Sequence, residues 1–325
     1  MDQRLLGSTG LTVSALGYGA GNVGGLMVRG THELQVAAVK RALDAGVTYF
    51  DTAPLYGNGL SEEHLGGVLT ELGAWDGIVL GTKVRFDEAG LRDPAVFVRK
   101  SLVDSLDRLG RDHVDLLQLH NTLHTSAPNR DSVSAEQLDA IADAMRALVR
   151  EGLTRHIGFT GVGDTDALHE NIRSGRFETM QSYFNAINPS AGHAGVHGPG
   201  QDMGGAIDLA KEHGLGVIAI RVMAGGAMTA QEQRAPLASP SLGPALVPGD
   251  TYEVDISRAV WLQGIASELG LESALELSFR LVITHPGVST ALVGYSDLQQ
   301  LEDAIRWAER GALTPDQVSR VLAGV

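Results

Sequence analysis

The sequence predicts an α/β protein: one (β/α)8 barrel of the TIM type. Two observations predict it. Short apolar runs alternate with helix-like segments eight times along 325 residues, and parallel neighbouring strands require helical crossovers of this kind. Three successive runs also end in side chains that carry chemistry. Tyr49-Phe50 leads into Asp51 and then Tyr56, Ile78-Val79-Leu80 leads into Lys83, and Val114 to Leu119 leads into His120. In a barrel of parallel strands such ends meet at one mouth. No stretch reads as a linker, so residues 1–325 are expected to form one domain.

In chain order, residues 1–15 read as a hairpin around Gly7-Ser8-Thr9-Gly10 and 16–19 as the first barrel strand. Gly19-Ala20-Gly21-Asn22-Val23-Gly24 fits G-x-G-x-x-G, the pyrophosphate turn of doubly wound dinucleotide-binding folds. That turn opens a helix directly. Here Gly25 and Gly30 prolong the loop, and helix sequence begins only at Thr31, the N-cap of 31–45, with Gly46 as stop. The expected strands are then 49–51, 78–83, 114–120, 156–160, 179–182, 216–221 and 290–293. The expected helices are 61–72 with Ser61 opening a partial capping box, 94–109, 134–151, 164–174, 204–213, 255–270, 275–284 and, last, 297–310. Two long loops break the rhythm: 185–203 with Pro189 and Pro199, and 224–254 with Pro236, Pro240, Pro244 and Pro248. Both follow strands and are expected at the mouth, the second as a cover over it.

Composition narrows the function. No cysteine is present, so disulfide and thiolate chemistry are excluded. No run of ~20 apolar residues reads as a membrane span, and Met1-Asp2-Gln3-Arg4 lacks a signal-peptide core, so a cytoplasmic protein without a membrane partner is expected. A net charge of −14 disfavours nucleic acid as a partner and reads as a solubility feature.

The motifs Phe50-Asp51-Thr52-Ala53-x-x-Tyr56-Gly57, Gly81-Thr82-Lys83 and Leu117-Gln118-Leu119-His120 resemble those of the aldo-keto reductases, over nearly the whole chain. The resemblance implies that the hairpin closes the barrel bottom and that Asp51, Tyr56, Lys83 and His120 form a catalytic tetrad. Chemical reasoning on the residues reaches the same roles. A carbonyl that receives hydride becomes an alkoxide, which needs a proton and a donor aimed at its oxygen. Tyr56 is the general acid/base. Lys83 favours the phenolate and so is expected to lower its pKa, Asp51 anchors the ammonium, and His120 orients the carbonyl. Two other chemistries fit less well. His120 and His124 have the spacing of two metal ligands, but 121–123 reads as loop and no Glu lies between them in H-E-x-x-H fashion. Lys83 ends a barrel strand, a position that suits a Schiff-base lysine, but its partner Asp51 opposes the neutral amine that this role needs.

The resemblance further implies NAD(P)(H) as cofactor, no metal, and a small carbonyl compound or sugar as substrate. Its expected contacts are Ala20, Gly21 and Asp51, then Thr160 and Gln181 for the nicotinamide carboxamide. Thr160-Gly161 stands where the family commonly has Ser-Asn. Arg221, Val222, Met223, Ala224 and Gly226 follow strand seven, with Arg221 able to pair with pyrophosphate. Gly294, Ser296, Gln300 and Asp303 form the adenosine-phosphate segment, where the usual Glu-Asn pair is Asp303-Ala304. Residues 294–303 contain no Lys or Arg but do contain Asp297 and Asp303, which favours NAD unless Arg306 or Arg221 reaches the 2′ position. The rival from another class is a non-catalytic barrel that binds the nucleotide as a sensor or partner subunit; a complete tetrad argues against it.

Overall fold

The computed structural model describes residues 1–126, 131–198, 200–242 and 251–325. Pro199, Pro244 and Pro248 of the long loops lie outside the described residues. The chain opens with the antiparallel hairpin β1 (Gln3–Leu5) and β2 (Thr12–Ser14). It continues through β3 (Leu16–Gly19), α1 (Leu26–Arg29), α2 (His32–Asp44), β4 (Tyr49–Asp51), α3 (Leu60–Glu71), β5 (Val79–Val84), α4 (Pro94–Leu109) and β6 (Val114–Leu119). Then come β7 (Thr122–His124), β8 (Ser132–Ser134), α5 (Ala135–Arg150), β9 (Thr154–Gly161), α6 (Thr165–Arg173), β10 (Thr179–Tyr183), α7 (Ala206–Glu212) and β11 (Gly216–Ile220). The last third holds α8 (Tyr252–Glu268), α9 (Ala274–Thr284), β12 (Val288–Gly294), α10 (Leu298–Arg310) and α11 (Pro315–Leu322). Eight parallel strands close a barrel in the order β10-β11-β12-β3-β4-β5-β6-β9.

Strand side chains alternate between the two faces of a sheet, and here that alternation builds both a plug and a mouth. Tyr49, Val79, Leu116 and Ile218 point into the barrel and pack with Leu6, Leu11 and Val13 of the hairpin region. Their chain neighbours Phe50, Leu80, Leu117 and Val217 join the outer core beneath the helices. The hairpin therefore seals the end where the strands begin. Its turn approaches β11 so closely that a Cβ on Gly7, at φ +56°, would lie 2.2 Å from the Gly216 nitrogen. Followed toward the other end, the same two-residue period brings Asp51, Lys83 and His120 to the inward face.

Four features differ from the sequence reading. Helix α3 starts at Leu60, with Gly59 in the left-handed region as N-cap. Ser61 is not a cap: its hydroxyl is buried against the strand ends, donating to the Ala20 carbonyl at 2.8 Å and sharing a hydrogen bond with Thr52 Oγ1. A short helix, α1, interrupts the glycine-rich loop. Residues 122–124 form a strand, not a loop, paired in parallel with 132–134. The chain ends in a further helix, α11, opened by Pro315 and a Thr314–Gln317 capping box.

Candidate active site

Asp51 and Lys83 lie at the C-terminal ends of adjacent strands, each with 1% exposure. Lys83 Nζ donates to Asp51 Oδ1 and, at 2.8 Å, to the Thr52 carbonyl. The other carboxylate oxygen of Asp51 accepts from Tyr49 OH at 3.1 Å and from Gln181 Nε2 at 2.7 Å. Ionised carboxylates only accept hydrogen bonds, so this three-donor cage favours the ion pair. Lys83 Nζ stands 4.8 Å from the centroid of the half-buried Tyr56 ring. The His120 ring meets Tyr56 edge-on at 90°, with centroids 5.8 Å apart. All four predicted catalytic residues therefore come together around one point.

Burial pushes the Asp51 carboxyl up, and its donors offset this only in part. Burial pulls the Lys83 ammonium down, but Asp51 and Tyr56 together hold it above its ordinary value. Burial also raises the Tyr56 phenol, by more than Lys83 draws it down. The expected lowering is thus correct for the lysine's own contribution but not for the net direction, because the phenolate must form in a poorly hydrated place. Burial, and then the charges of Lys83 and Arg85, hold the His120 imidazole well below the usual histidine range, so it is neutral at neutral pH. Its Nδ1 is buried without a partner.

A cavity of about 820 Å³ runs past Asp51, Tyr56 and His120. Twelve of the fourteen expected cofactor residues line it: Gly21, Asp51, Thr160, Gln181, Arg221, Val222, Met223, Gly226, Gly294, Ser296, Gln300 and Asp303. Ala20 does not; its amide donates to the Asp51 carbonyl and its methyl is buried, while Gly19 and Gly21 on either side face the opening. Ala224 does not either, since it packs into an apolar cluster with Ala186, Ile187 and Met228. Lys83 is absent from the lining and buried in its ion pair, which excludes it as a free Schiff-base amine. The glycine-rich loop is followed by a four-residue helix capped by Gly25, and the strands close into a barrel in place of the open doubly wound sheet that the G-x-G-x-x-G motif belongs to. Among the described residues no cluster of His, Asp and Glu can hold a metal ion.

The residues present fit a nicotinamide nucleotide. Thr160 Oγ1 is a buried hydroxyl with no partner on the cavity wall. Arg221, also on the wall, makes no side-chain hydrogen bond or ion pair among the described residues. Its backbone is in the left-handed region at φ +57°, a strained setting for a non-glycine residue. The turn is pinned from behind by Asn185 Nδ2 on the Arg221 carbonyl at 3.0 Å and Ser278 Oγ on the Val222 carbonyl at 2.7 Å. Gln181 has its amide nitrogen committed to Asp51, and the Ser296 amide donates to Gln300 Oε1, so these two act partly through protein partners. At the far end Arg306 is held at 2.8 Å by both Glu272 and Asp303. Arg306, Trp307 and Arg310 hold the Glu272 carboxyl at about 2.

The described part of the second long loop straps this cleft. Arg29 Nε donates to the Leu237 carbonyl at 2.8 Å, while its two terminal nitrogens grip Asn22. The Ser239 amide donates to the Val23 carbonyl at 2.9 Å, and Arg234 bonds the Gly225 carbonyl and lies over the Tyr252 ring. Described residues of 185–203 contribute nothing to the lining. The wall beyond His120 holds Arg85, Thr122, His124, Asp131 and Asp164; of these the sequence reading singled out only His124, as a metal-ligand candidate. For Arg85 the signal was available: it sits two positions beyond Lys83 on the same alternation.

A closed eight-stranded barrel with a polar, tyrosine-centred mouth defines the structural class, and comparison with known proteins supplies the family. The model of the Aldo/keto reductase family matches residues 15–323, and the chain belongs to that family; it is an aldo-keto reductase oxidoreductase. It is similar to L-galactose dehydrogenase of Arabidopsis thaliana, with 30% identity covering 94% of this chain and 87% of that protein. L-glyceraldehyde 3-phosphate reductase of Escherichia coli (strain K12) is 25% identical, covering 94% and 87%. D-threo-aldose 1-dehydrogenase of a Pseudomonas species is 34% identical over 51% of this chain and 55% of that protein. In fold it matches an aldo-keto reductase from Bacillus halodurans in its holo form, with a TM-score of 0.72 and 22% identity over 99% and 96% of the two chains. No helix among the described residues is long and apolar enough to cross a membrane.

Proposed function

We propose that this protein is an NAD(P)(H)-dependent oxidoreductase that interconverts a carbonyl and an alcohol on a small molecule, an aldehyde, ketone or sugar. The observation that carries the reading is the meeting of Lys83, buried in its pair with Asp51, with the Tyr56 ring at 4.8 Å, beside an edge-on His120. A bound nicotinamide supplies or accepts the hydride. Tyr56 gives its hydroxyl proton to the nascent alkoxide, or takes the alcohol's proton in the reverse direction. Lys83 lowers the cost of the phenolate that results, and Asp51 keeps the ammonium charged and in place. Neutral His120 retains one ring N–H and can donate it to the carbonyl oxygen without competing as an acid. Thr160 offers its unpartnered hydroxyl to the carboxamide, and Arg221 offers its guanidinium to pyrophosphate. The pairing of Arg306 with Glu272 and Asp303, and the presence of Asp303 on the cavity wall, favour a free ribose hydroxyl over a 2′-phosphate, hence NAD.

The relatives' names span neutral sugars and a sugar phosphate, which supports a small oxygenated carbonyl compound as the substrate class. The test is Tyr56→Phe. It should still bind cofactor and lose on the order of 10²-fold or more in kcat with any carbonyl the wild type reduces. Near-normal turnover in the variant would remove Tyr56 from the proton-transfer role.

A further inference from the structure

We propose that Tyr49 is a positioning residue for the proton transfer: its hydroxyl, steadied by Gln118, holds the Asp51 carboxylate from inside the barrel and so keeps the Asp51–Lys83 pair charged while a cofactor occupies the cavity. The proposal rests on the oxidoreductase reading and adds two residues that act only through others. Both are fully buried, and neither lines the cavity.

Asp51 Oδ1 is taken by Lys83, and Oδ2 receives two donors, Tyr49 OH at 3.1 Å and Gln181 Nε2 at 2.7 Å. The two donors differ in what else can reach them. Gln181 stands on the cavity wall, where it is expected to meet the nicotinamide carboxamide, so its amide is divided between ligand and carboxylate. Tyr49 lies below the wall, and neither solvent nor cofactor competes for its proton. It is the donor to Oδ2 that persists when the cavity fills.

The phenol's proton has a set direction. Gln118 lies on β6, two residues before His120, and its Nε2 donates to the Tyr49 oxygen at 3.4 Å. With that bond received, the hydroxyl proton is left for Asp51. Gln118 makes no other side-chain hydrogen bond among the described residues, and its Oε1 is buried without a partner. A leucine would fill this interior position without the cost of burying an amide, so the plug does not call for a glutamine here; Tyr49 does. The neighbouring strands leave room for the phenol. A Cβ on Gly81 of β5 would lie 2.9 Å from the Tyr49 oxygen and 3.5 Å from Asp51 Oδ2, and one on Gly17 of β3 would lie 3.0 Å from the ring. The hydroxyl reaches Asp51 because both positions lack a side chain.

The ionisable groups facing Asp51 are Lys83 from β5, Tyr49 from its own strand and Tyr56 from the loop that follows. Beyond Tyr56 stand Arg221, after β11, and the neutral His120, after β6. Burial and the Asp51 charge keep the Tyr49 phenol protonated, so it serves only as a donor. A carboxylate that loses a donor is harder to keep ionised, the more so where burial already works against it. Without the Tyr49 hydroxyl, a proton passes from Lys83 Nζ to Asp51 Oδ1, and both groups become neutral. The charge beside Tyr56 is then lost, and its phenolate costs more to form.

Tyr49→Phe keeps the ring that packs in the plug and removes only the hydroxyl. Infrared spectra of protein labelled with 13C-aspartate, titrated with acid, report the Asp51 carboxyl directly. Its protonated band should appear at higher pH in the variant than in the wild type and vanish when Asp51→Asn is added. The gap should widen with NAD bound, as Gln181 is drawn toward the carboxamide; a gap that NAD leaves unchanged would overturn the division between the two donors. In alcohol oxidation the limb on which kcat rises with pH should move to higher pH. The variant's kcat should fall roughly fivefold or more at neutral pH and recover toward the wild type at high pH, with the cofactor KM changed by about twofold or less. Gln118→Met should shift the limb the same way by less, and it carries the test where Tyr49→Phe fails to fold. Gly81→Ala, which crowds the hydroxyl off Asp51, should reproduce Tyr49→Phe. Coincident bands and limbs in a folded variant, or a loss of kcat equal at every pH, would overturn the proposal. Tyr56→Phe, assayed beside them, separates the two readings. An inactive Tyr56→Phe with an unshifted Tyr49→Phe removes only the role of Tyr49, whereas an active Tyr56→Phe removes the proton-transfer reading itself.

Discussion

Replacing Lys83 by Met is the most informative perturbation of the proposed proton transfer. The substitution keeps the chain volume and removes the charge 4.8 Å from the Tyr56 ring centroid. At an effective dielectric of about 20, a unit charge at that distance is worth roughly 3.5 kcal/mol before solvent screening. Tyr56 is half-buried, so solvent reduces this figure, and the phenol's pKa is expected to rise. Burial already pushes that phenol up; without the ammonium nothing of comparable size opposes it. The assay is the pH dependence of kcat for alcohol oxidation. The limb on which rate rises with pH should move to higher pH, and the rate at neutral pH should fall on the order of 10-fold or more. Removing one partner of a buried pair also costs ~3–5 kcal/mol of stability. Here Tyr49 and Gln181 still donate to Asp51 and limit that loss, so the variant should remain folded, as circular dichroism would verify. Asp51→Asn should be similarly impaired, and the double variant should be little worse than either single one. An unmoved pH profile, or losses that add fully, would refute the idea that Asp51, Lys83 and Tyr56 act as one charge unit.

Further outcomes follow from the same geometry. With one substrate, kcat/KM should be higher with NAD than with NADP; Glu272→Gln with Asp303→Asn should free Arg306 and narrow the gap, and a tenfold wild-type preference for NADP would refute the NAD assignment. His120 has a folded-state pKa far below its unfolded value of about 6.5. The unfolded chain therefore binds more protons, and the contribution of His120 to stability, present above pH ~6.5, should be lost as pH falls below it at up to ~1.4 kcal/mol per unit. Urea midpoints for wild type and His120→Gln should converge on acidification; parallel curves would contradict this. Arg29→Met removes the three bonds that tie the strap to Asn22 and Leu237, each worth ~1 kcal/mol or less at this exposed position. Nucleotide dissociation in stopped-flow fluorescence should accelerate roughly fivefold or more, whereas an unchanged rate would show that the strap does not retain the cofactor.

The barrel was legible because its strands read as short apolar runs, buried on both faces, and its helices carry end signals. Helix α4, for example, is bounded by Pro94 and Gly110. The meeting of Asp51, Tyr56, Lys83 and His120 was legible because each sits at or just past a strand end, where the fold brings them together. What the sequence hid was set by contacts distant along the chain. Asp164 reads as an ordinary helix start, and its carboxylate is diverted only because Gly163 admits the Leu123 carbonyl. Ser61 reads as a cap, yet the two residues that claim its hydroxyl, Ala20 and Thr52, belong to other turns. Strands β7 and β8 are three residues each, too short for any period to declare itself. Ala20 and Ala224 were expected as cofactor contacts from the family resemblance, but their amides donate to the Asp51 and Arg221 carbonyls and their methyl groups are buried.

The apolar plug and the polar mouth constrain each other. The alternation that points Tyr49, Val79, Leu116 and Ile218 into the plug also determines which residues face inward two and four positions later. A slip of one residue in β4 would replace Asp51 by Phe50 or Thr52 at the mouth and would expose the inner cluster to the helices instead. Such a slip would cost the burial of several large side chains, at ~1.5–3 kcal/mol each. The buried Asp51–Lys83 pair is itself a poor source of stability, since desolvation of two charges offsets most of their attraction. Its position is maintained by the plug below it, whose Tyr49 contributes twice: its ring packs in the apolar cluster and its hydroxyl donates to Asp51. Register specified by hydrophobic packing thus preorganises a charged site that could not assemble on its own electrostatics. The chain can therefore vary the loops that line the cavity without disturbing the tetrad beneath.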